Sequence, residues 1–339
     1  MKPQGWWVYP WQVDSKVAEW QRRFPELLRV DVEEQYTRQR VWGLTVTDFS
    51  VPDEGKRKHL FFVPHAHEPA GTAACMSCVH QLLSGHHSDG SPSTLVCERI
   101  LREAVLTFIP DGNPFGRSRC PEPVWEGDLY NNREFINMVF GIGALRSEDP
   151  RKPRWERFKR VESFSVAEDT PDRVGLVYEP VDATTYVEPN RGDPRSAMAK
   201  LVKRLSTVYA YDHVMGLHQT EFEGSPIDAN CMAIMPKLQG ELDAARQADN
   251  MALAEALHAA WQRVGGIPTP IRKGGRKGSR YQRQTSVIPW EALQRQARYL
   301  TLEIQNNAPQ TPAEQQLLLF DVAIWQSVSF MLGERSDHS

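Results

Sequence analysis

The 339 residues carry 40 Lys and Arg against 43 Asp and Glu, a formal net charge of −3, with 40% hydrophobic and 24% charged residues. That balance excludes a strongly basic nucleic-acid binder and gives no charge-driven affinity for a membrane surface. The length suffices for one large α/β domain with a sizeable core. No apolar run approaches the length of a membrane span. The N-terminus, MKPQGWWVYPWQVD, shows no basic stretch followed by an apolar core, so a cytoplasmic protein without a secretory leader is expected. The five cysteines (Cys75, Cys78, Cys97, Cys120, Cys231) are odd in number and sparse, which fits free thiols in a reducing compartment. Cys75 and Cys78 form a CxxC within a helix-like run and read as small buried apolar residues.

Along the chain, Trp6, Trp7 and Trp11 are expected to anchor the N-terminal segment in the core. Lys58 to Val63 predicts a strand and Ala70 to Leu83 a helix. Ser93 predicts the cap of a second helix through Ala104, leading into a strand over Val105 to Ile109. That strand stops at Pro110-Asp111-Gly112-Asn113-Pro114, a cluster of turn formers. The stretch from Phe115 to about Pro180 is too long for a connector and is expected to be an elaboration with short helices such as Asn132 to Phe140. Further on, the pattern predicts a helix over Ser196 to Tyr209, a strand over Val214 to His218, a long helix over Asp243 to Val264 and a strand over Arg298 to Glu303. Thr311-Pro312-Ala313-Glu314 reads as the start of a final helix reaching about Leu332, with Thr311 as cap. Strand–helix alternation argues for a single α/β domain over 1–339: a mixed twisted sheet flanked by helices, core about 55–330, with the enlarged region at 115–180 over one edge.

The chemistry concentrates at strand ends. The run Leu60 to Val63 stops in His65-Ala66-His67-Glu68, immediately before a helix. His218 likewise ends a short apolar run and is followed by Glu221. A bare HxxE, which occurs at both places, is weak evidence. Two strand-end histidines and a carboxylate nevertheless make a three-ligand zinc set with a fourth position open to water, the catalytic arrangement. His67 is set aside, because alternation would turn it away from His65 and Glu68. Glu221 reads as a partner of His218, or as a fallback ligand, and His86-His87-Ser88-Asp89, bounded by Gly85 and Gly90, as a surface turn.

HxxE at a strand–helix junction, a distant strand-end His and an Asn-Arg pair between them resemble the zinc carboxypeptidases of the carboxypeptidase A-like family. The resemblance implies one zinc per chain held by His65, Glu68 and His218. It implies that Asn190-Arg191, in YVEPNRGDP, grips a substrate's terminal carboxylate, for which a guanidinium fork beside an amide is suited. It implies a general base at Glu303, closing the strand Tyr299 to Glu303, and a mobile tyrosine at Tyr281 in the basic loop GGRKGSRYQRQT. The oxyanion arginine is open among Arg117, Arg119, Arg151, Arg154 and Arg173, with Arg117 preferred because it follows the turn directly. The family's Asn-Pro-Asp-Gly is scrambled to Asp111-Gly112-Asn113-Pro114, and the long spacing from Glu68 to His218 agrees with an insertion over the cleft. The implied activity is zinc-dependent removal of a C-terminal residue from a peptide or peptide-like substrate. The alternatives are a zinc deacylase or amidase on an N-acyl amino acid or cell-wall peptide, and a relative that binds peptides without cleaving them.

Overall fold

The computed structural model describes residues 3–119, 163–165, 177–220, 227–271, 290–306 and 308–333. In chain order it contains α1 (Pro10–Arg23), β1 (Leu28–Glu34), β2 (Arg40–Val46), β3 (Arg57–Phe62), α2 (Pro69–Ser84), α3 (Cys97–Glu103), β4 (Ala104–Ile109) and α4 (Pro114–Arg119). There follow β5 (Ser163–Ser165), β6 (Glu179–Pro180), β7 (Thr185–Val187), α5 (Ala197–Tyr209), β8 (His213–Thr220), β9 (Cys231–Ile234), α6 (Ala244–Arg263), α7 (Trp290–Gln296), β10 (Arg298–Gln305) and α8 (Ala313–Met331).

Seven strands form one mixed sheet in the order β1-β2-β4-β3-β8-β10-β9, and β5, β7 and β6 form a small second sheet. The four central strands β4, β3, β8 and β10 are parallel, and antiparallel strands close both edges. Burial follows from this order. The central strand β4, Ala-Val-Leu-Thr-Phe-Ile, is buried throughout, whereas edge strand β1 alternates with Arg29, Asp31 and Glu33. Alternation along the strands sends Phe61, Met215, Leu217, Leu300 and Leu302 into one core with α2, α6 and α8. It sends Leu60, Phe62, Val214 and Tyr299 into a second core with α5 and α7.

The expected central elements are present within a residue or two at their ends. α2 starts with Pro69 at its first turn and stops at Gly85, whose φ of +72° is a left-handed cap. α5 and α6 are capped by Ser196, accepting from the Ala199 amide, and by Asp243, accepting from the Arg246 amide.

Several expectations need correction. α3 begins at Cys97 rather than at Ser93: the Ser93 hydroxyl donates to Gln81 Oε1 at 3.2 Å and accepts from the Leu95 amide at 3.3 Å, closing a local turn, and the helix starts only after Val96. Thr311 does not cap α8; its hydroxyl donates to Gln305 Oε1. Trp6 enters the core and Trp7 packs against Trp20, but Trp11 is 58% exposed and stacks on Tyr9. The N-terminal segment adds α1 and the β1–β2 hairpin, which periodicity did not reveal. The helix expected at Asn132 to Phe140, Cys120, Arg151, Arg154, Arg173, Glu221 and Tyr281 with its basic loop lie outside the described residues. Cys75, Cys78, Cys97 and Cys231 are free thiols. No helix among the described residues is long and apolar enough to cross a membrane.

Candidate active site

In a parallel sheet the carboxyl ends of the strands open into a crevice, and three of them meet here. β3 ends at Phe62, and the turn after it delivers His65 and Glu68, the latter immediately before α2. β8 delivers His218 near its own end. Glu303 of β10 is the in-register neighbour of His218. Parallel partners project to the same face, so Glu303 stands one strand away from His218 on the α5–α7 side of the sheet.

The donor atoms converge on one oxygen. His65 Nδ1 lies 2.9 Å and His218 Nδ1 3.0 Å from Glu68 Oε1. All three residues are buried. On its other side His65 Nε2 lies 3.0 Å from Oε1 of Glu188, also buried. A neutral imidazole has a single N–H, yet His65 meets a carboxylate at both ring nitrogens. The second contact requires further positive charge. Burial opposes charging His65, but Glu68 and Glu188 outweigh it and raise its pKa to about 9. Burial likewise disfavours the Glu68 carboxylate, while His218 and His65 hold its pKa well below the usual range. A divalent cation on the Nδ1 side supplies the same positive charge without the extra proton, and Nδ1 of two histidines with one carboxylate oxygen is a zinc donor set. The residues therefore fit the metal.

His67 does not turn away as expected. The strand stops at Phe62, so alternation no longer governs residue 67. Its ring is buried, stacks on that of His65 at 5.4 Å, and places Nε2 3.9 Å from Glu68 Oε1. The ligand atoms of His65, His67 and Glu68 all lie within 4.8 Å of one another, while His218 Nδ1 is nearer to Glu68 Oε1 than His67 Nε2 is.

Arg117, on α4, is fully buried. Its Nη2 donates to the His65 carbonyl at 3.3 Å and to the Thr72 hydroxyl at 3.0 Å, and its Nε lies 3.7 Å from Asp111 Oδ2. It thus clamps the ligand turn to the first turns of α2. Asn190 and Arg191 lie on a 3-10 turn, Pro189–Arg191, directly after Glu188. The Asn-Arg pair is therefore carried on the segment that touches His65. Glu188 was not anticipated: the contact that marks it is with His65, far away in sequence.

A polar clasp holds this end of the molecule. Gln35 donates to Glu179 Oε2 at 2.7 Å and to Asn113 Oδ1 at 3.2 Å, while Asn113 Nδ2 donates to the Tyr178 carbonyl. Glu179 Oε1 accepts from the Ala197 amide at the start of α5. Burial pushes the Glu179 pKa up to about 7, against the pull of Gln35, Ser196 and Ala197.

No family sequence model matches the chain, and no curated protein matches it in sequence. Comparison of structures is more informative. Carboxypeptidase A from Helicoverpa armigera superposes with a TM-score of 0.56 at 13% identity, covering 95% of this chain and 73% of that one. The chain has the metallocarboxypeptidase fold. A metallo-carboxypeptidase from Burkholderia cenocepacia gives a TM-score of 0.53 at 13% identity, over 95% of this chain and 68% of that one. Thrombin activatable fibrinolysis inhibitor gives 0.54 at 11% identity, over 96% and 75%. The mixed seven-stranded sheet, with helices on both faces, is thus the metallocarboxypeptidase architecture expected from the strand-end motifs.

Proposed function

We propose that the protein is a zinc-dependent hydrolase that removes a C-terminal residue from a peptide or peptide-like substrate. The observation that carries this reading is the convergence of His65 Nδ1 and His218 Nδ1 on Glu68 Oε1, with Glu303 one strand away. When bound, zinc supplies a Lewis acid for the carbonyl and lowers the pKa of a neighbouring water. Glu303 accepts a proton from that water and returns it to the leaving nitrogen. Glu188 holds His65 through Nε2 and so keeps Nδ1 aimed at the metal position. Arg117 fixes the ligand turn and serves as the donor to the developing oxyanion. Asn190 and Arg191 hold the substrate's free carboxylate, and Tyr281 closes over it from the basic loop.

The test is a peptide-library digest followed by mass spectrometry, with and without chelator, on protein whose zinc content has been measured. Loss of single C-terminal residues, abolished by chelator, is the expected result, with about one zinc per chain. Release of acyl groups from N-acyl amino acids would instead establish the deacylase, and zinc-free protein that binds peptides intact would establish the binding relative. Glu303→Gln should retain zinc and lose turnover by about 10²–10⁴-fold, the usual contribution of a general base. Unchanged turnover would remove Glu303 from the mechanism.

A further inference from the structure

We infer that the outer edge of β1 is a strand-pairing surface for a second copy of the chain, and that Arg204 of α5 holds it shut. The inference does not depend on the zinc reading. β1 ends the seven-stranded sheet, next to β2. The two pair antiparallel, so successive residues of β1 alternate between bonding β2 and facing outward. Two bonds fix the alternation. At one end the Gln35 amide donates to the Gln39 carbonyl at 2.9 Å, and at the other the Thr47 amide donates to the Leu27 carbonyl at 3.1 Å. Carried along the register, Arg29, Asp31 and Glu33 bond β2, while the backbones of Leu28, Val30, Val32 and Glu34 face outward.

Such an edge offers a row of donors and acceptors to another extended chain. Part of the row is already engaged. The Leu28 amide donates to the Phe24 carbonyl at 3.0 Å. The Val32 carbonyl accepts from Arg204 Nη2 at 3.0 Å. Two acids of the same strand hold that guanidinium in place: Nε lies 3.4 Å from Asp31 Oδ1, and Nη1 donates to Glu33 Oε1. Neighbouring strands lie about 4.8 Å apart, so a guanidinium on an outward carbonyl fills the space of the next strand. Between these two closures the Val30 amide and carbonyl meet no partner among the described residues.

The sequence of β1 specifies the occupant. Leu28-Arg29-Val30-Asp31-Val32 is complementary to itself when two copies run antiparallel about Val30. Val30 then exchanges both backbone bonds with its counterpart, and Arg29 stands opposite Asp31 of the second copy, twice over. These are pairs without mutual backbone bonds, the closer kind, where opposite charges attract and like charges repel. The next registers on either side set Asp31 against Asp31 or Arg29 against Arg29. Val32, 43% exposed, comes to lie beside Leu28 of the second copy.

Sedimentation velocity over a concentration series tests this on the full chain. The wild type should be a monomer, and Arg204→Gln should dimerise, with self-association about tenfold tighter or more. Adding Val30→Pro to Arg204→Gln removes the outward amide at the centre of the pairing and should restore the monomer. Adding Arg29→Asp instead turns each cross-strand attraction into a repulsion and should do the same. An Arg204→Gln protein that associates no more tightly than the wild type overturns the inference. So does a dimer that either second substitution leaves intact. Should Arg204→Gln fail to fold, Arg204→Ala, which favours the helix more, serves for the same comparison.

Discussion

At the scale of single residues, the centre depends on side chains that touch no substrate. Glu188 meets His65 Nε2 at 3.0 Å and leaves Nδ1 facing Glu68, the side on which the proposed metal would sit. Removing such an orienting partner costs about 10–100-fold in metal affinity. Glu188→Ala should show that loss by chelator competition, with its far-UV circular dichroism unchanged; equal affinity would mean that His65 needs no such orientation. That His65, Glu68 and His218 meet, with Glu303 on the neighbouring strand, was legible because each closes or follows an apolar run. Glu188 was not legible, because its partner lies 123 residues away and nothing local distinguishes it from a surface Glu. His67 was misread because the period of a strand was carried beyond the residue where the strand ends.

At the scale of elements, the turn after β4 is pressed against the turn after β3. The Gly112 amide donates to the Val63 carbonyl at 2.7 Å. A Cβ at Gly112 would meet Met198 Sδ, the Val63 carbonyl oxygen at 2.8 Å and Pro64 Cα at 3.1 Å. Two of these are backbone atoms of the segment leading to His65 and cannot yield without moving it. Gly112→Ala should therefore cost about 1–3 kcal/mol in urea denaturation, the usual penalty of overpacking, and should weaken metal binding as well. An effect on neither would show that the two turns are not coupled. This close approach explains why the scrambled order Asp111-Gly112-Asn113-Pro114 still makes a turn that serves the site: Gly112 lies at the contact and Asn113 faces the clasp. The α/β alternation was legible because β3, β4 and α2 are buried almost throughout. The β1–β2 hairpin was not, because β1 interleaves its apolar residues with Arg29, Asp31 and Glu33, as a solvated edge requires.

At the scale of the whole molecule, the two ends of the sheet respond to pH in opposite senses. At the amino ends of β3 and β8, His59 and His213 are in-register neighbours, both buried, their rings 5.3 Å apart. His213 Nε2 lies 2.9 Å from Arg298 Nη1, whose guanidinium also pairs with Asp249, and Ser327 of α8 lies near His59. Burial, reinforced by Arg298, lowers the His213 pKa to about 3, and burial with His213 lowers that of His59 well below 6.5. At these two histidines the folded state binds fewer protons than the unfolded chain below about pH 6.5, so their contribution to stability falls as pH drops through that range. Glu179 acts the other way. Its folded pKa of about 7 exceeds the ordinary 4.5, so its contribution is lost as pH rises between those values. Urea denaturation should show the wild type losing about 2–3 kcal/mol relative to His213→Gln between pH 6.5 and 4.5. It should lose a similar amount relative to Glu179→Gln between pH 5 and 8. Differences that do not change with pH would mean that each group titrates in the folded protein as it does in the unfolded chain.

The clasp of Gln35, Asn113, Tyr178 and Glu179 has an evolutionary consequence. It ties the point where the chain leaves β4 to the point where it returns toward Glu188, two posts held to each other by side-chain hydrogen bonds. The posts hold the histidines, the carboxylates and the Asn-Arg turn in register from outside the stretch that joins them. The register of those residues is then independent of the sequence in between, in keeping with a fold shared at sequence identities of 10–13%.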